Sequence, residues 1–172
     1  MKELLIKLKA CEAAREWAGD KSWPEIFATC HRGDWLLWLF YHTAGDKRLL
    51  TLAKGHCANT VRHLMKDERS VNAVDVAIRY GNGVATQEEL RAASAAAYAA
   101  ASVAAYAAAA VAAYAAADAD AYAAAYAAAY AAADADAATK ENQQITAYIC
   151  RKYLPIEVWN ITESGQLITK NQ

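Results

Sequence analysis

Apolar and polar positions alternate in short blocks through the first half of the chain, then give way to a long run of alanine. Residues 2–18 set charged residues among Leu, Ile and Ala at helical spacing, with Leu5, Leu8, Glu12 and Arg15 on different sides. One helix is predicted there, ended by Gly19-Asp20. Ser22-Trp23-Pro24-Glu25 is a capping box with proline in the first turn, and it starts a helix that stops near Gly33. Asp34 can cap the next segment, WLLWLFYH, where Trp35, Trp38, Leu39 and His42 fall at i, i+3, i+4 and i+7. The opposite side is apolar too, so this helix is predicted to be central and buried all round, although so short an apolar run also suits a strand. Gly45-Asp46 opens a helix to about Met65. Ser70 begins another that ends at Gly81-Asn82-Gly83, and Thr86-Gln87-Glu88-Glu89 forms a second capping box.

Residues 86–154 contain neither Gly nor Pro. Alanine is the best helix former, so the block is predicted helical. Unbroken, it would run about 100 Å at 1.5 Å per residue, whereas a compact domain of this length is only about 40 Å across. The segment therefore doubles back or projects. Asp118-Ala119-Asp120 is the expected break, because Asp competes for the helix backbone and favours caps. A second candidate lies at Asp134-Ala135-Asp136 or Thr139. An eight-residue rhythm carries Tyr98, Tyr106, Tyr114, Tyr122 and Tyr130. Eight residues advance about 80° beyond two turns, so these rings spiral around the axis, whereas Tyr122, Tyr126 and Tyr130 share a face. After Pro155 the texture changes to IEVWNIT and QLITK around Glu163-Ser164-Gly165, which suits a short β-hairpin or an ordered tail. The expected architecture is all-α: a compact bundle of about six to eight helices with a long Ala/Tyr-rich C-terminal hairpin. Residues 1–155 form a single domain, with a short-helix half at 1–83 and the hairpin at 86–154, and 156–172 form a tail.

The chain has 172 residues, enough for one sizeable core. Its net charge of −1 excludes a global field that would draw it to a nucleic-acid polymer or a membrane. The charge is unevenly spread: residues 1–91 carry +2, residues 92–138 carry −4, and residues 139–172 carry +1. Four widely spaced cysteines, Cys11, Cys30, Cys57 and Cys150, suit reduced thiols in a cytoplasm better than a disulfide framework. The first residues are interrupted by charges and do not read as a signal peptide. Residues 92–117 are uncharged and long enough to span a bilayer, but Leu, Ile and Phe, which drive insertion, are missing. A cytoplasmic protein is expected.

Little in the sequence carries chemistry. The carboxylates of Asp118 and Asp120, like those of Asp134 and Asp136, sit at i and i+2 and point about 200° apart on a helix, so neither pair can share a proton. Caps or solvated charge are the ordinary reading. Together with Tyr122, Tyr126 and Tyr130 they are also candidates for contact with a basic partner. His56, Cys57 and His63 lie on one predicted helix, with Cys30-His31 and His42 on others, but no zinc-ligand spacing is present and neither metal nor cofactor is expected. Gly81-Asn82-Gly83 is a lone Gly-x-Gly that reads as a helix end. Arg32, Arg48, Arg62 and Arg79 are candidates to grip a phosphate, with Trp35 and Trp38 to stack a base. A rim Trp beside His31-Arg32 could equally anchor a partner, although Trp at helical spacing is more often core. An enzymatic reading could use a His/Asp pair such as His31 and Asp34, or a Cys nucleophile with a His base, and no motif supports either.

The stretch CEAAREWAGDKSWPEIFATCHRGDWLLWLFYHTAGDKRLL resembles the opening of the immunity-five-like family of bacterial and phage immunity proteins, named for association with polymorphic-toxin systems. The matching positions are Gly19, Asp20, Gly33, Asp34, Trp35, Leu36, Leu37, Trp38, Leu39, Asp46, Arg48 and Leu49, and AIRYGNGVATQEELRAA matches further on. The resemblance covers about residues 8–150. At Lys54-Gly55-His56-Cys57 the chain departs from the family's usual cysteine- and alanine-rich composition, and no catalytic residue is carried across. The resemblance implies a protein without catalysis that binds and neutralises a toxin by surface complementarity. The alternative is a phage anti-defence protein that sequesters a nucleotide immune signal between helices or subunits. Close-packing alanine surfaces suit a homodimer.

Overall fold

A computed structural model describes residues 1–44, 46–65, 67–103 and 136–168, with side chains described to residue 98 and again from residue 140. Among them are eight α-helices and no strand: α1 Lys2–Lys7, α2 Glu12–Ala18, α3 Trp23–Thr29, α4 Gly33–Thr43, α5 Lys47–Asn59, α6 Glu68–Gly81, α7 Gln87–Val103 and α8 Asp136–Tyr153. Short 3-10 turns follow α5 and α8. The protein is an all-α bundle. The predicted break at Asp118-Ala119-Asp120, and with it the turn of the alanine-rich hairpin, lies outside the described residues.

The local start signals do their expected work. Ser22 Oγ accepts from the Glu25 amide while Glu25 accepts from the Ser22 amide at 2.7 Å. Thr86 and Glu89 exchange the same two bonds at the head of α7. Asp46 caps α5 by accepting from the Arg48 and Leu49 amides.

Besides α3, which ends at Thr29 where the pattern suggested a stop near Gly33, four boundaries differ from the sequence pattern. Residues 2–18 form two helices, because α1 ends in a Schellman turn: the Ala10 amide donates to Leu5 O and the Lys9 amide to Ile6 O. Lys9 takes the left-handed conformation at φ +60 that glycine usually supplies there, and the bend lets both Leu5 and Ala18 reach the core. Asp34 does not cap α4. The helix begins at Gly33, and Asp34 lies in its first turn, 3% exposed. The third is the end of α5 at Asn59, with a 3-10 turn at Arg62–Leu64 where the pattern suggested helix to Met65. Lastly, α6 is capped by Asp67, whose side chain accepts from the Arg69 amide, and Ser70 is buried inside it.

The core sits between α4, α5, α6 and α8. Leu36, Leu37 and Phe40 of α4 are buried there with Ala53 and Cys57 of α5, Val74 and Ala77 of α6, and Ala147 and Cys150 of α8. Helices α5 and α6 pair closely, α7 lies on α6, and α8 lies on α4 and α5. Gly33 makes the α4–α8 approach possible: a Cβ there would stand 2.6 Å from the Thr146 carbonyl carbon. On α8, Ala147 and Cys150 are fully buried among larger neighbours, so small residues set the close spacing.

The segment after Pro155 packs back on the bundle. It makes a 3-10 turn at Ile156–Val158 and a single antiparallel bridge between Ile161 and Leu167. Trp159 is buried, its ring 4.7 Å from Trp23 and 4.9 Å from Phe40, and its Nε1 donates to Leu154 O. Asn160 donates to the carbonyls of Thr43 and Ala44, closing the C-terminal end of α4. All four cysteines are free thiols, three of them buried.

Candidate functional site

Helix α4 is not buried all round. Its inner side carries Leu36, Leu37 and Phe40, while Trp35 and Trp38 are half-buried and Tyr41 and His42 are exposed. The i, i+3, i+4 face carrying Trp35, Trp38 and Leu39 turns instead toward α1 and α2, and there it closes one wall of a cavity of about 240 Å³. Leu5 from α1, Ala14 and Trp17 from α2, and Leu36 from the same side of α4 complete the walls. The Schellman turn at Lys9 is what bends α2 back over this space. It leaves the exposed Lys9 and Cys11 at the opening.

The aromatic residues form a connected group. Trp17 lies 5.9 Å from Trp35 and 5.8 Å from His31, and His31 lies 6.1 Å from Trp35. Two cations cover the outer faces: Lys21 Nζ sits 4.6 Å above the Trp17 ring and the Arg32 guanidinium 4.8 Å from the Trp35 ring. Lys21 also donates to Trp17 O. Arg32 grips the buried Asp34 carboxylate at both oxygens, with Nε to Oδ1 at 2.8 Å, and that hydrogen bonding holds the guanidinium more firmly protonated than usual. Cys30, at the floor of the cavity, donates from Sγ to Arg32 O at 3.4 Å, and burial pushes its thiol up to about 11. Near neutral pH that thiol is uncharged.

The arrangement offers an apolar, aromatic surface, with the side chains of Lys9, Cys11 and Cys30 and the three indole N–H groups as its polar atoms. Asp34 is taken by Arg32, and His31 makes ring contacts with Trp17 and Trp35. Among the described residues no group of three His, Cys, Asp or Glu side chains could hold a metal ion. His56 stands on another face, stacked on Tyr153 at 4.0 Å.

Of the residues singled out for a ligand, Trp35 and Trp38 line this cavity, Arg32 stacks on Trp35 outside the lining, and the other arginines stand elsewhere. Arg48 donates to Tyr80 O at 2.9 Å and lies over the Tyr80 ring. Arg62 makes a two-pronged pair with Asp75, whose carboxyl it holds below the usual range. Arg79 reaches Glu89 at 3.4 Å. Of the residues singled out for a protein partner, Tyr122, Tyr126, Tyr130, Asp118, Asp120 and Asp134 lie outside the described residues, and Asp136 is the first residue of α8. The chain matches no protein-family model, no curated protein and no solved structure. Its fold and site therefore rest on its own residues. Among the described residues no helix is long and apolar enough to cross a membrane.

The cavity itself was not legible as a site. Leu5, Ala14 and Trp17 carry no motif, and their convergence with α4 depends on a chain reversal at a lysine. The one local hint was the early concentration of tryptophan at Trp17, Trp23, Trp35 and Trp38. Trp23 went the other way: it is 2% exposed and packed on Trp159 and Phe27.

Proposed function

We propose that this protein works by binding, as an immunity protein that neutralises a partner toxin through surface complementarity without catalysis. The single observation that carries this reading is the half-buried group Trp17, Trp35 and Trp38 around an apolar cavity. Buried-edge tryptophans backed by a rigid helix are the residues that most often dominate protein–protein affinity. The resemblance of residues 8–150 to immunity-five-like proteins supplies the class of partner. Exposed Lys9 and His31 beside the group give a polar rim. The experiment is co-expression with the product of each neighbouring gene that arrests growth. Growth is expected to be restored by the wild-type chain and lost with Trp35→Ala, while circular dichroism of the variant stays helical. A variant that still protects fully would refute the assignment of this face.

Sequestration of a nucleotide signal, in the manner of a phage anti-defence protein, is the second reading, and it is favoured only by the Arg32–Trp35 stack. Phosphate recognition needs a guanidinium with free donors. Arg32 and Arg62 hold carboxylates two-pronged, while Arg48 and Arg79, which keep free donors, stand away from the tryptophan group. A cyclic nucleotide at 100 times its dissociation constant would stabilise the fold by about 2.7 kcal/mol, so a thermal-shift screen separates the two readings.

A further inference from the structure

The geometry points to a ligand for the cavity itself: we propose that the space between α1, α2 and α4 binds one small neutral aromatic molecule of two-ring size. The inference goes beyond the partner reading and needs no toxin. Size sets the upper bound. A cavity of about 150 Å³ lined by Leu, Ile and Phe admits benzene, and this one offers about 240 Å³, room for a fused bicycle within its walls, while a sugar and phosphate would have to project through the opening.

Lining sets the chemistry. Leu5, Ala14, Leu36 and Leu39 present carbon, and Trp17, Trp35 and Trp38 present ring faces and edges to which another ring packs in tilted or edge-on geometry. A water placed there needs two to four polar partners. The polar atoms available are the indole N–H groups, which only donate, the Cys30 thiol, already donating to Arg32 O, and Lys9 and Cys11 at the open side, so a water there meets few acceptors. An apolar guest therefore displaces water that the site holds poorly. A charged guest would have to leave its hydration shell with Lys9 as the single cation of the lining. A purine edge would leave its amino donors short of acceptors among these side chains, which disfavours a base where a hydrocarbon ring is welcome. Access is provided by the opening beside Cys11, the exposed cysteine.

The test uses indole as the probe, titrated into the full chain by calorimetry, with adenosine monophosphate as the charged comparison. One indole per chain is expected, with nuclear Overhauser contacts from the ring protons to the methyls of Leu5, Leu36 and Leu39. Adenosine monophosphate should bind at least about tenfold more weakly. Ala14→Phe, which fills the space from α2, should lower indole affinity by about tenfold or more. Should that variant fail to fold, the contact map on the wild-type chain still decides. Indole that does not bind, that binds Ala14→Phe as well as wild type, or that contacts methyls elsewhere overturns the proposal, and so does equal binding of the nucleotide. None of these readouts involves a toxin, so failure of neutralisation and failure of the ligand are separate results.

Discussion

Asp34 is nearly enclosed at the head of α4, and its carboxylate is made tolerable by the Arg32 fork. Arg32→Ala leaves that charge without its donor, and the expected loss is about 2–3 kcal/mol in urea unfolding. Replacing both residues by apolar ones of similar size should recover most of it. Gly33, one residue earlier, has no room for a methyl group against Thr146. Gly33→Ala should cost about 1–3 kcal/mol by forcing α4 and α8 apart. His56 gives the fold a pH dependence. Its half-buried ring is stacked on Tyr153, and burial, then the nearby Lys152 charge, lowers its pKa from 6.5. The folded state thus prefers the neutral ring while the unfolded chain takes up a proton near 6.5. The contribution is complete above that pH and is lost as pH falls through 6.5 toward the lower folded value. Tm should therefore drop more between pH 7.5 and about 5.5 in wild type than in His56→Phe, which keeps the stack and removes the titration.

At the scale of elements, the turn between α1 and α2 is the informative case. A lysine in the left-handed conformation costs about 1–2 kcal/mol relative to glycine, so Lys9→Gly should raise stability by about 1 kcal/mol in chemical denaturation. A fall in stability would mean that the Lys9 side chain matters more than its backbone. The same turn shows what a sequence can and cannot reveal. Ser22–Glu25, Asp46 and Thr86–Glu89 were legible because a cap is a local bargain between one side chain and amides two or three residues away. The α1–α2 turn was hidden, since its usual marker is a glycine and the chain has Lys9 there. Asp34 looked like a cap because caps and first-turn acids share a residue type. What separates them is a distant contact, Gly33 on Thr146. Trp35 and Trp38 read as core because helical spacing does not say which face meets solvent, and α2 covers that face only because of the turn.

Over the whole molecule, helices α4, α5, α6 and α8 form the packed centre, and α1 and α2 lean on one flank, roofing a cavity with tryptophan walls. That division matters for binding: the wall on α4 is held by a buried core, while the opposite wall is two helices of six and seven residues. Such short helices rely on packing for their stability. A guest or partner seated between them should slow hydrogen exchange in α2 far more than in α5, and uniform protection across both would argue for binding elsewhere. The most direct measurement is the affinity of the purified chain for any growth-arresting product of its neighbouring genes, the partner class proposed above, compared between wild type and the double variant Trp17→Ala/Trp35→Ala. A partner anchored on the tryptophan-walled face should lose at least about 100-fold in affinity, since two anchors of about 2 kcal/mol each are removed. Equal affinity from a double variant that remains folded would contradict the assignment of this face.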